Sequence, residues 1–359
     1  MADDGFSIPD DAFVQILGLL PTITRRRFRL VCKHWRDIIN ERTPVGQVRT
    51  KILAFFSQPG SSRALVFGDK DGHRRHAWTF PCSHDGGQIH MVGTCNGLIC
   101  LLESWKADGA SFSAITVINP ITNEKRELPP VPDSWGCEQL RDHGKYSFGY
   151  HPTTGKYKVV QIPWSPRQAV HALQVFTLGD ASWRQVPVRI PGTTYQLSSG
   201  AISVDGWTYW LTAVADRVMA MDLEDERVTS ISLPQAERPS SISADVDAGW
   251  QLTNVHAGLG LVTTYRRSWE RTLKVWVLDG RGEQPRWSVR YSLIVGMGER
   301  WITAPHLTHG DYILRQTWDL VIDRYTIPPA RKRLLRHKLD LNNGQLLPPE
   351  GAEEISEGR

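Results

Sequence analysis

The side chains that could bind a metal ion are scattered along this chain of 359 residues. The closest approach to a ligand cluster is Cys82, His84, His90 and Cys95. Their spacing fits no zinc pattern, in which paired ligands are usually about two to four residues apart on each side. We therefore interpret these four residues as ordinary surface or core positions and predict no metal site.

Catalytic motifs are equally hard to find in the sequence. There is no G-x-S-x-G elbow, no P-loop and no H-E-x-x-H motif. Gly258-x-Gly260 and Gly296-x-Gly298 lie in a β-rich context, whereas a dinucleotide loop needs a strand-to-helix junction. Glu224-Asp225-Glu226 is typical of a charged hairpin turn, on which adjacent carboxylates do not converge on one site. We predict no catalytic residues and no cofactor.

Three of the 14 tryptophans lie in stretches rich in Pro, Gly and charged residues, and two of them, Trp164 and Trp269, are within three residues of an arginine. An exposed Trp beside Arg is a common anchor of protein interfaces. The alternative is a loop Trp that folds back on its own unit. The candidate partner-binding residues are Trp135, Trp164, Arg167, Arg267, Trp269 and Arg271.

Two apolar stripes at helical spacing precede these loops. Phe13, Ile16, Leu17 and Leu20 follow an i, i+3, i+4, i+7 pattern that ends at Pro21. The second stripe consists of Phe28, Val31, Cys32, Trp35, Ile38 and Ile39. Two or three helices this short cannot bury both stripes in each other, so apolar surface should remain for a partner or for the rest of the chain.

This segment closely resembles an F-box, the adaptor-binding module of SCF-type ubiquitin ligases. Ile8-Pro9 and Leu20-Pro21 match the two Leu-Pro pairs of the family, and Phe28 to Arg36 match its Phe-Arg-x-Val-Cys-Lys-x-Trp-Arg block. Ile23-Thr24-Arg25 departs from the usual Lys-Ser-Leu. The alternative is an ordinary helical hairpin that packs on the following domain. The resemblance implies an F-box at residues 6–43 with adaptor contacts at Ile8, Pro9, Leu17, Leu20, Pro21, Phe28, Val31, Cys32 and Trp35.

From Thr50 onward the helical pattern gives way to short β-rich runs separated by Gly-containing turns. Asn96-Gly97, Thr154-Gly155 and Asp205-Gly206 each divide two such runs, which indicates hairpins. The turns recur roughly every fifty residues with about four strands per unit, the period of propeller blades. We predict a multidomain α and β chain, in which a small helical unit precedes an all-β propeller of about five to six blades at residues 50–340.

The repeats also resemble the F-box-associated, kelch-like propeller of plant F-box proteins. The resemblance rests on stretches such as Asn96-Gly97-Leu98, Asn119-Pro120, Phe148-Gly149-Tyr150 and Gly206-Trp207. It fades after Asp340, and residues 341–359 are predicted to be a disordered acidic tail because they offer little to bury.

The composition restricts the compartment and the kinds of partner. The net charge is only +4, so the Arg25-Arg26-Arg27 run is interpreted as a solvated face, and no nucleic-acid partner is predicted. Five cysteines without a C-x-x-C pair fit a reducing compartment. No apolar run reaches the ~18 residues of a membrane span. We expect a protein of the cytoplasm, the nucleus or both, with no membrane partner.

The resemblance implies a substrate-recognition subunit of an SCF-type E3 ubiquitin ligase. The F-box would bind a Skp-type adaptor, and through it the cullin and RING subunits, while the propeller would hold an unknown target protein. The first alternative is an interaction protein that binds the adaptor without directing degradation. The second is a propeller-type glycan binder or enzyme.

Overall fold

A computed structural model shows two compact units, Met1–Lys51 and Ile52–Arg359. For the strands after Ser292 only the backbone is described. No helix among the described residues is long and apolar enough to cross a membrane. The structure describes residues 9–19, 28, 31–32, 34–35, 38–39, 42, 52–58, 60–67, 74–132, 145–163, 171–188, 200–212, 216–234, 249–255, 258–267, 270–279, 285–296, 307–309, 312–316, 321–326, 333–340, 345–346 and 353–354.

The first unit contains helix α1, Asp10–Leu19. The helix begins where the sequence predicts, because Pro9 needs no N–H partner and Asp10 and Asp11 place negative charge at the positive end of the helix dipole. The Pro9 carbonyl accepts a hydrogen bond from the Phe13 N–H at 3.0 Å and closes the first turn. The apolar stripe of α1 packs against a second group of side chains that includes Ile38.

The strands described in the second unit pair antiparallel and in chain order within each sheet, except that β25 pairs with β23. The strands are β1 Ile52–Gln58, β2 Ser61–Phe67, β3 Arg74–Pro81, β4 Gln88–Cys95, β5 Leu98–Ala107, β6 Ala110–Ile118, β7 Lys125–Glu127, β8 Lys145–His151, β9 Lys156–Ile162, β10 Ala172–Thr177, β11 Arg184–Pro187, β12 Ala201–Val204, β13 Trp207–Leu211, β14 Arg217–Asp222, β15 Val228–Ser232, β16 Gly249–Val255, β17 Gly258–Arg267, β18 Glu270–Asp279, β19 Arg286–Gly296, β20 Leu307–His309, β21 Tyr312–Gln316, β22 Val321–Thr326, β23 Arg333–Asp340, β24 Gln345–Leu346 and β25 Glu353–Glu354.

The described strands form six sheets, numbered here along the chain. Sheet 1 comprises β1–β3, sheet 2 β4–β7, sheet 3 β8–β11, sheet 4 β12–β15, sheet 5 β16–β19 and sheet 6 β20–β25. Five of these six have four or more strands, which confirms the predicted propeller of about five to six blades. The predicted hairpin turns are also confirmed, since Asn96 and Gly97 both adopt positive φ, 50° and 85°, as do Asp205 and Gly206.

The hydrophobic core lies between successive sheets, as in stacked blades. Separate apolar clusters join sheet 1 to sheet 2, sheet 2 to sheet 3, sheet 3 to sheet 4 and sheet 4 to sheet 5. A polar contact also repeats between the blades. The Trp183 indole N–H, just before β11, donates to the Pro129 carbonyl at 2.7 Å, and the Trp287 indole N–H of β19 donates to the Ser232 carbonyl at 2.9 Å. Sheet 5 therefore sits on sheet 4 much as sheet 3 sits on sheet 2.

The first strands of neighbouring sheets lie side by side and run in the same direction. Ser147 in β8 and Ser203 in β12 join their hydroxyls at 2.8 Å, and His151 after them adjoins Gly206 at the next turn. We call the face where β4, β8, β12 and β16 begin the entry face, and the opposite one, with the Asn96-Gly97 and Asp205-Gly206 turns, the exit face.

Part of the segment predicted to be a disordered tail has regular backbone structure. β24 pairs with the end of β23, through Leu339 and Leu346, and β25 pairs with its beginning, through Arg333 and Glu354. Pairing with an existing strand satisfies backbone groups without burying side chains. A polar composition therefore does not exclude these two short strands.

Candidate functional site

The helical unit buries one apolar face and leaves another exposed. Phe13, Leu17 and Ile38 are 7%, 0% and 4% exposed and form its core. Trp35 packs on this core, with its ring centroid 4.5 Å from that of Phe13 and 5.4 Å from that of Phe28.

Four apolar side chains of this unit remain exposed, and the two sequence stripes predict such leftover apolar surface. Leu19 is 88% exposed, Val31 59% and Ile16 46%, and Cys32 is also exposed. Several exposed apolar side chains on so small a unit are typical of a protein-binding surface. We call these four residues the apolar patch.

The predicted adaptor contacts differ in how exposed their side chains are in the structure. Val31 and Cys32 belong to the apolar patch, and Pro9 is exposed at the start of α1. Leu17, also predicted as an adaptor contact, is fully buried against Phe13, so its side chain is not exposed on the surface of this unit.

Phe28 and Trp35 are partly buried and pack against the same cluster. Ile8, Leu20 and Pro21 lie outside the described residues. Sequence reasoning missed Leu19, because it lies off the apolar stripe of α1, although its exposure makes it the most accessible apolar side chain of the patch.

Of the predicted partner-binding residues, Trp135, Trp164, Arg167 and Trp269 lie outside the described residues. The strand ends that flank them are nevertheless informative. Lys145, which follows the segment of Trp135, pairs with Ile162, which precedes that of Trp164. Both segments therefore connect to the propeller at the entry face of sheet 3.

Arg267 and Arg271 differ from the predicted loop positions, because the backbone continues there as strand. Arg267 is the last residue of β17, and its cross-strand partner in the backbone register is Glu270, the first residue of β18. Arg271 is the second residue of β18. β16 begins opposite Thr264, so this hairpin also lies at the entry face. The strand ends that flank the segments of all three tryptophans therefore lie at the entry face.

Three stacked aromatic rings lie in sheet 2 at the entry face. The sequence analysis did not predict this stack. The rings of His84 and Trp105 are parallel within 2°, with centroids 3.6 Å apart, and Phe112 follows 5.8 Å from Trp105. Trp105 and Phe112 are cross-strand partners in β5 and β6. Cross-strand aromatic pairs stabilise a hairpin by packing against each other.

Glu103 fixes the loop that carries His84. Its Oε1 accepts hydrogen bonds from the Ser83 N–H at 2.7 Å and the His84 N–H at 3.1 Å, and lies 3.3 Å from His84 Nδ1. Gly87 closes the loop with a hydrogen bond to the His84 carbonyl, and a Cβ there would lie 2.9 Å from that oxygen. These contacts hold the loop in the conformation that places the His84 ring on Trp105.

Cys82 and His90, two of the four residues that come closest to a ligand cluster in the sequence, have different charged neighbours. Burial raises the pKa of the Cys82 thiol, and the Glu103 charge adds to this effect. Burial, with the nearby Lys145 charge, lowers the pKa of His90. Among the described residues no group of three His, Cys, Asp or Glu side chains could hold a metal ion.

Comparison with known families decides the identity of both units. The family model described as F-box domain matches residues 6–44, and the one described as F-box associated beta propeller domain matches residues 47–308. The chain belongs to the F-box proteins with an associated β-propeller. Residues 6–44 of this F-box protein thus contain the apolar patch, and residues 47–308 contain the aromatic stack.

Three curated relatives of this chain come from Arabidopsis thaliana. This F-box protein is 24% identical to F-box protein At3g07870 over 324 residues, which cover 80% of this chain and 72% of the relative. It is 26% identical to F-box/kelch-repeat protein At2g43445 over 288 residues, which cover 76% of this chain and 62% of that protein. For F-box/LRR-repeat protein At2g43260 the identity is 27%, with 78% and 65% covered. The chain thus spans about two thirds of the length of these relatives.

Two solved structures show weak likenesses to this chain. A chain of the nidogen/laminin complex matches with a TM-score of 0.46 and 10% identity, over 83% of this chain and 96% of the other. The β-propeller domain of the Trilobed protease from Pyrococcus furiosus matches at 0.36 and 10%, over 74% and 96%. TM-scores this low carry no argument about function.

Proposed function

We propose that this protein is the substrate-recognition subunit of an SCF-type E3 ubiquitin ligase. The observation that carries the proposal is the presence in one chain of an F-box and an F-box-associated propeller. An F-box implies a Skp-type adaptor as partner, and through it the cullin and RING subunits. The apolar patch of Ile16, Leu19, Val31 and Cys32 supports this, because helical modules commonly bind partners through exposed apolar side chains.

In this proposal the chain positions the target protein and does not itself catalyse ubiquitin transfer. The propeller holds the target protein while the F-box fixes the complex to the ligase, so that target lysines stay near the ubiquitin-loaded enzyme. Holding two reactants together can replace a large part of the entropic barrier of a bimolecular step. Catalysis then belongs to other subunits, in the cytoplasm, the nucleus or both.

We expect the two units to be separable in function. A chain that lacks residues 1–43 should still bind its target but should no longer support ubiquitin transfer. Made in cells, it should protect the target by occupying it. The measurement is the target half-life in the presence of the truncated or the full chain, and faster turnover with the truncated chain would contradict this division of labour.

Ubiquitination of a bound target distinguishes the ligase proposal from a non-degradative role. Reconstitution with the adaptor, cullin and RING subunits should give lysine modification that depends on residues 1–43. Stable adaptor binding without any modification of the bound target would favour the non-degradative role.

The target site is proposed on the entry face. We expect at least one of Trp135→Ala, Trp164→Ala and Trp269→Ala to weaken target binding by about tenfold, the typical effect of truncating an interface tryptophan. Thermal stability and adaptor binding should stay nearly unchanged. If all three variants instead lose stability together with binding, these tryptophans belong to the blade cores.

A further inference from the structure

The strands of sheet 1 run in different directions from the first strands of the other sheets. The Gly60 N–H donates to the Gly87 carbonyl at 3.4 Å, and the Gly60 carbonyl accepts from the Cys82 N–H at 3.0 Å. Gly87 directly precedes β4, so the turn between β1 and β2 lies at the entry face. β1 therefore ends at the face where β4, β8, β12 and β16 begin.

β1 thus has the direction of a second strand. β5, the second strand of sheet 2, also runs toward the entry face, where Ser104 pairs with Gln88 at the start of β4. β2 and β3 then correspond to third and fourth strands, and β3 leads into β4 as β7 leads into β8. By this correspondence the place of a first strand lies along the open edge of β1. Among the described residues β1 pairs with β2 alone.

The sequence of β1 is that of an interior strand. Its residues from Ile52 to Phe56 are all apolar. Ala54 and Phe56 are buried, while Leu53 and Phe55 pack against the cluster between sheets 1 and 2. A continuous apolar run is typical of a strand that is covered on both faces. Edge strands usually carry charges, proline or a bulge that discourage further pairing, and β1 contains none of these.

The outermost strands of sheets 1 and 2 do carry such features. β3 begins with two arginines, ends at Pro81 and has a shifted register with β2. β7 consists of three charged residues, all exposed. The contrast indicates that β3 and β7 are outer edges exposed to solvent, whereas β1 is suited to pair with a further strand.

The register of β1 with β2 shows which backbone groups lie on the open edge. Two residues separate the paired Gln58 and Ser61, and the pair that closes such a hairpin shares hydrogen bonds. Hydrogen-bonded positions alternate along a strand, so the intervening residues of β1 direct their N–H and C=O groups to the open edge. These residues are Leu53, Phe55 and Ser57.

We propose that β1 binds an extended segment of the target protein as an additional strand, antiparallel to β1. This rests on the proposed function and adds to it the way in which the target is held. A strand added to a sheet edge gains backbone hydrogen bonds, and its alternate side chains provide specificity. β1 has 7 residues, so the bound segment is of similar length.

The first strand of sheet 3 shows which side chains suit this place in a blade. In β8 the apolar Tyr146 and Phe148 alternate with Ser147 and Gly149. A Cβ at Gly149 would lie 2.8 Å from the Ser203 Cβ of β12, so these neighbouring first strands leave no room for a large side chain there. The target segment should therefore alternate large apolar with small residues and contain no proline at its centre.

The C-terminal segment of the chain is the alternative occupant. Its two described strands pair with β23 instead, β24 through Leu346 and β25 through Glu354. Residues 341–359 are also mostly polar and acidic, whereas both faces of β1 are apolar. These observations favour a segment of another protein.

A phage library of random dodecapeptides, selected on the full chain, tests the proposal. Selected peptides should alternate large apolar and small residues, and a proline at the centre should weaken binding about tenfold or more. In the chain, Ser57→Pro removes an N–H of the open edge and should weaken peptide binding about fivefold or more. Proline is tolerated in an edge strand where its nitrogen faces outward, so this variant should fold.

Ser57→Ala is the matched control. The Ser57 hydroxyl donates to the Ile89 carbonyl, and both variants lose this hydrogen bond. Only Ser57→Pro also loses the backbone N–H, so the alanine variant should bind the peptide as the natural chain does. Unchanged binding by Ser57→Pro, or an equal loss in both variants, would overturn the proposal.

Hydrogen exchange of the natural chain needs no variant. The amides of Leu53 and Phe55 should exchange rapidly in the free chain, whereas those of Ala54 and Phe56 should exchange slowly because they bond to β2. The selected peptide should slow the first pair about tenfold or more. Slow exchange of that pair in the free chain would show that the chain itself covers the edge. Rapid exchange that the peptide leaves unchanged would show that no strand is added, and either result overturns the proposal.

Binding of a purified Skp-type adaptor separates this inference from the proposed function. Failure of the natural chain to bind the adaptor would refute the proposed ligase role. Intact adaptor binding together with a result that overturns strand addition would refute only the β1 site.

Discussion

A Leu19→Ser, Val31→Ser double variant should lose at least about tenfold in affinity for a purified Skp-type adaptor, a loss of about 1.4 kcal/mol. The two side chains are 88% and 59% exposed and so contribute little to the core of the helical unit. In a complex, however, they would be the apolar groups that leave water on binding. The measurement is calorimetric titration of the adaptor with the full chain.

The control is Leu17→Ala, which changes a buried side chain of the same helix. Truncating a buried leucine costs about 2–5 kcal/mol, a large share of the stability of a small unit. This variant should lose helical circular dichroism together with binding, whereas the double variant should keep it. Unchanged affinity of a folded double variant would place the adaptor surface elsewhere on the unit.

The difference between Leu17 and Leu19 shows what a helical stripe can predict. The spacing of Phe13, Ile16 and Leu17 correctly predicts an amphipathic helix, because 3.6 residues per turn place them on one side. The spacing does not predict which residues of α1 are covered by the second apolar stripe. Since Ile38 and Trp35 cover Phe13 and Leu17, Ile16 is left partly exposed, and Leu19 is exposed from outside the stripe.

The propeller repeat was predictable for a more local reason. An Asn-Gly or Asp-Gly pair permits the positive φ of a tight hairpin turn, so Asn96-Gly97 and Asp205-Gly206 fix strand ends by themselves. The stack of His84 on Trp105 was not predictable, because Glu103 reaches across about twenty residues of chain to fix the loop. Such a contact depends on the register of β4 with β5, which the sequence leaves open.

A contact between sheets 3 and 4 could not be predicted from the sequence either, because it joins residues that are far apart in the chain. The turn between β14 and β15 is formed by Asp222 and Asp225, whose carboxylates accept hydrogen bonds from the Glu224 and Arg227 N–H groups. Glu226 adopts a positive φ of 61° in this turn. Its carboxylate accepts a hydrogen bond from Lys158 Nζ at 2.7 Å and another from the Arg184 guanidinium.

Glu226 therefore compensates a buried positive charge across a blade junction. The Lys158 side chain is only 6% exposed, whereas Arg184 is 41% exposed and also pairs with Asp180. Burial by itself raises the pKa of Glu226, but the hydrogen bonds and charges of Lys158 and Arg184 outweigh it and hold the pKa below the ordinary value. The ionised carboxylate is thus favoured in the folded state.

We expect Glu226→Gln to destabilise the propeller by about 3 kcal/mol, the lower end of the cost of breaking a buried pair, because Glu226 keeps 18% of its surface exposed. Chemical denaturation at neutral pH measures this. Adding Lys158→Met should recover most of the loss, since the uncompensated charge is then gone. The control Glu224→Gln, on the same turn, should change stability by less than about 0.5 kcal/mol.

The pH dependence of this loss provides a second measurement. Because the folded-state pKa of Glu226 is lowered, its ionised form stabilises the fold fully above the ordinary value of 4.5, and this contribution disappears as the pH falls through the folded-state pKa. The difference in unfolding free energy between the natural chain and Glu226→Gln should therefore be constant near neutrality and shrink below pH 4.5. A difference that stays constant down to acid unfolding would show that the ionised carboxylate does not stabilise this junction, and that the damage comes from the altered turn.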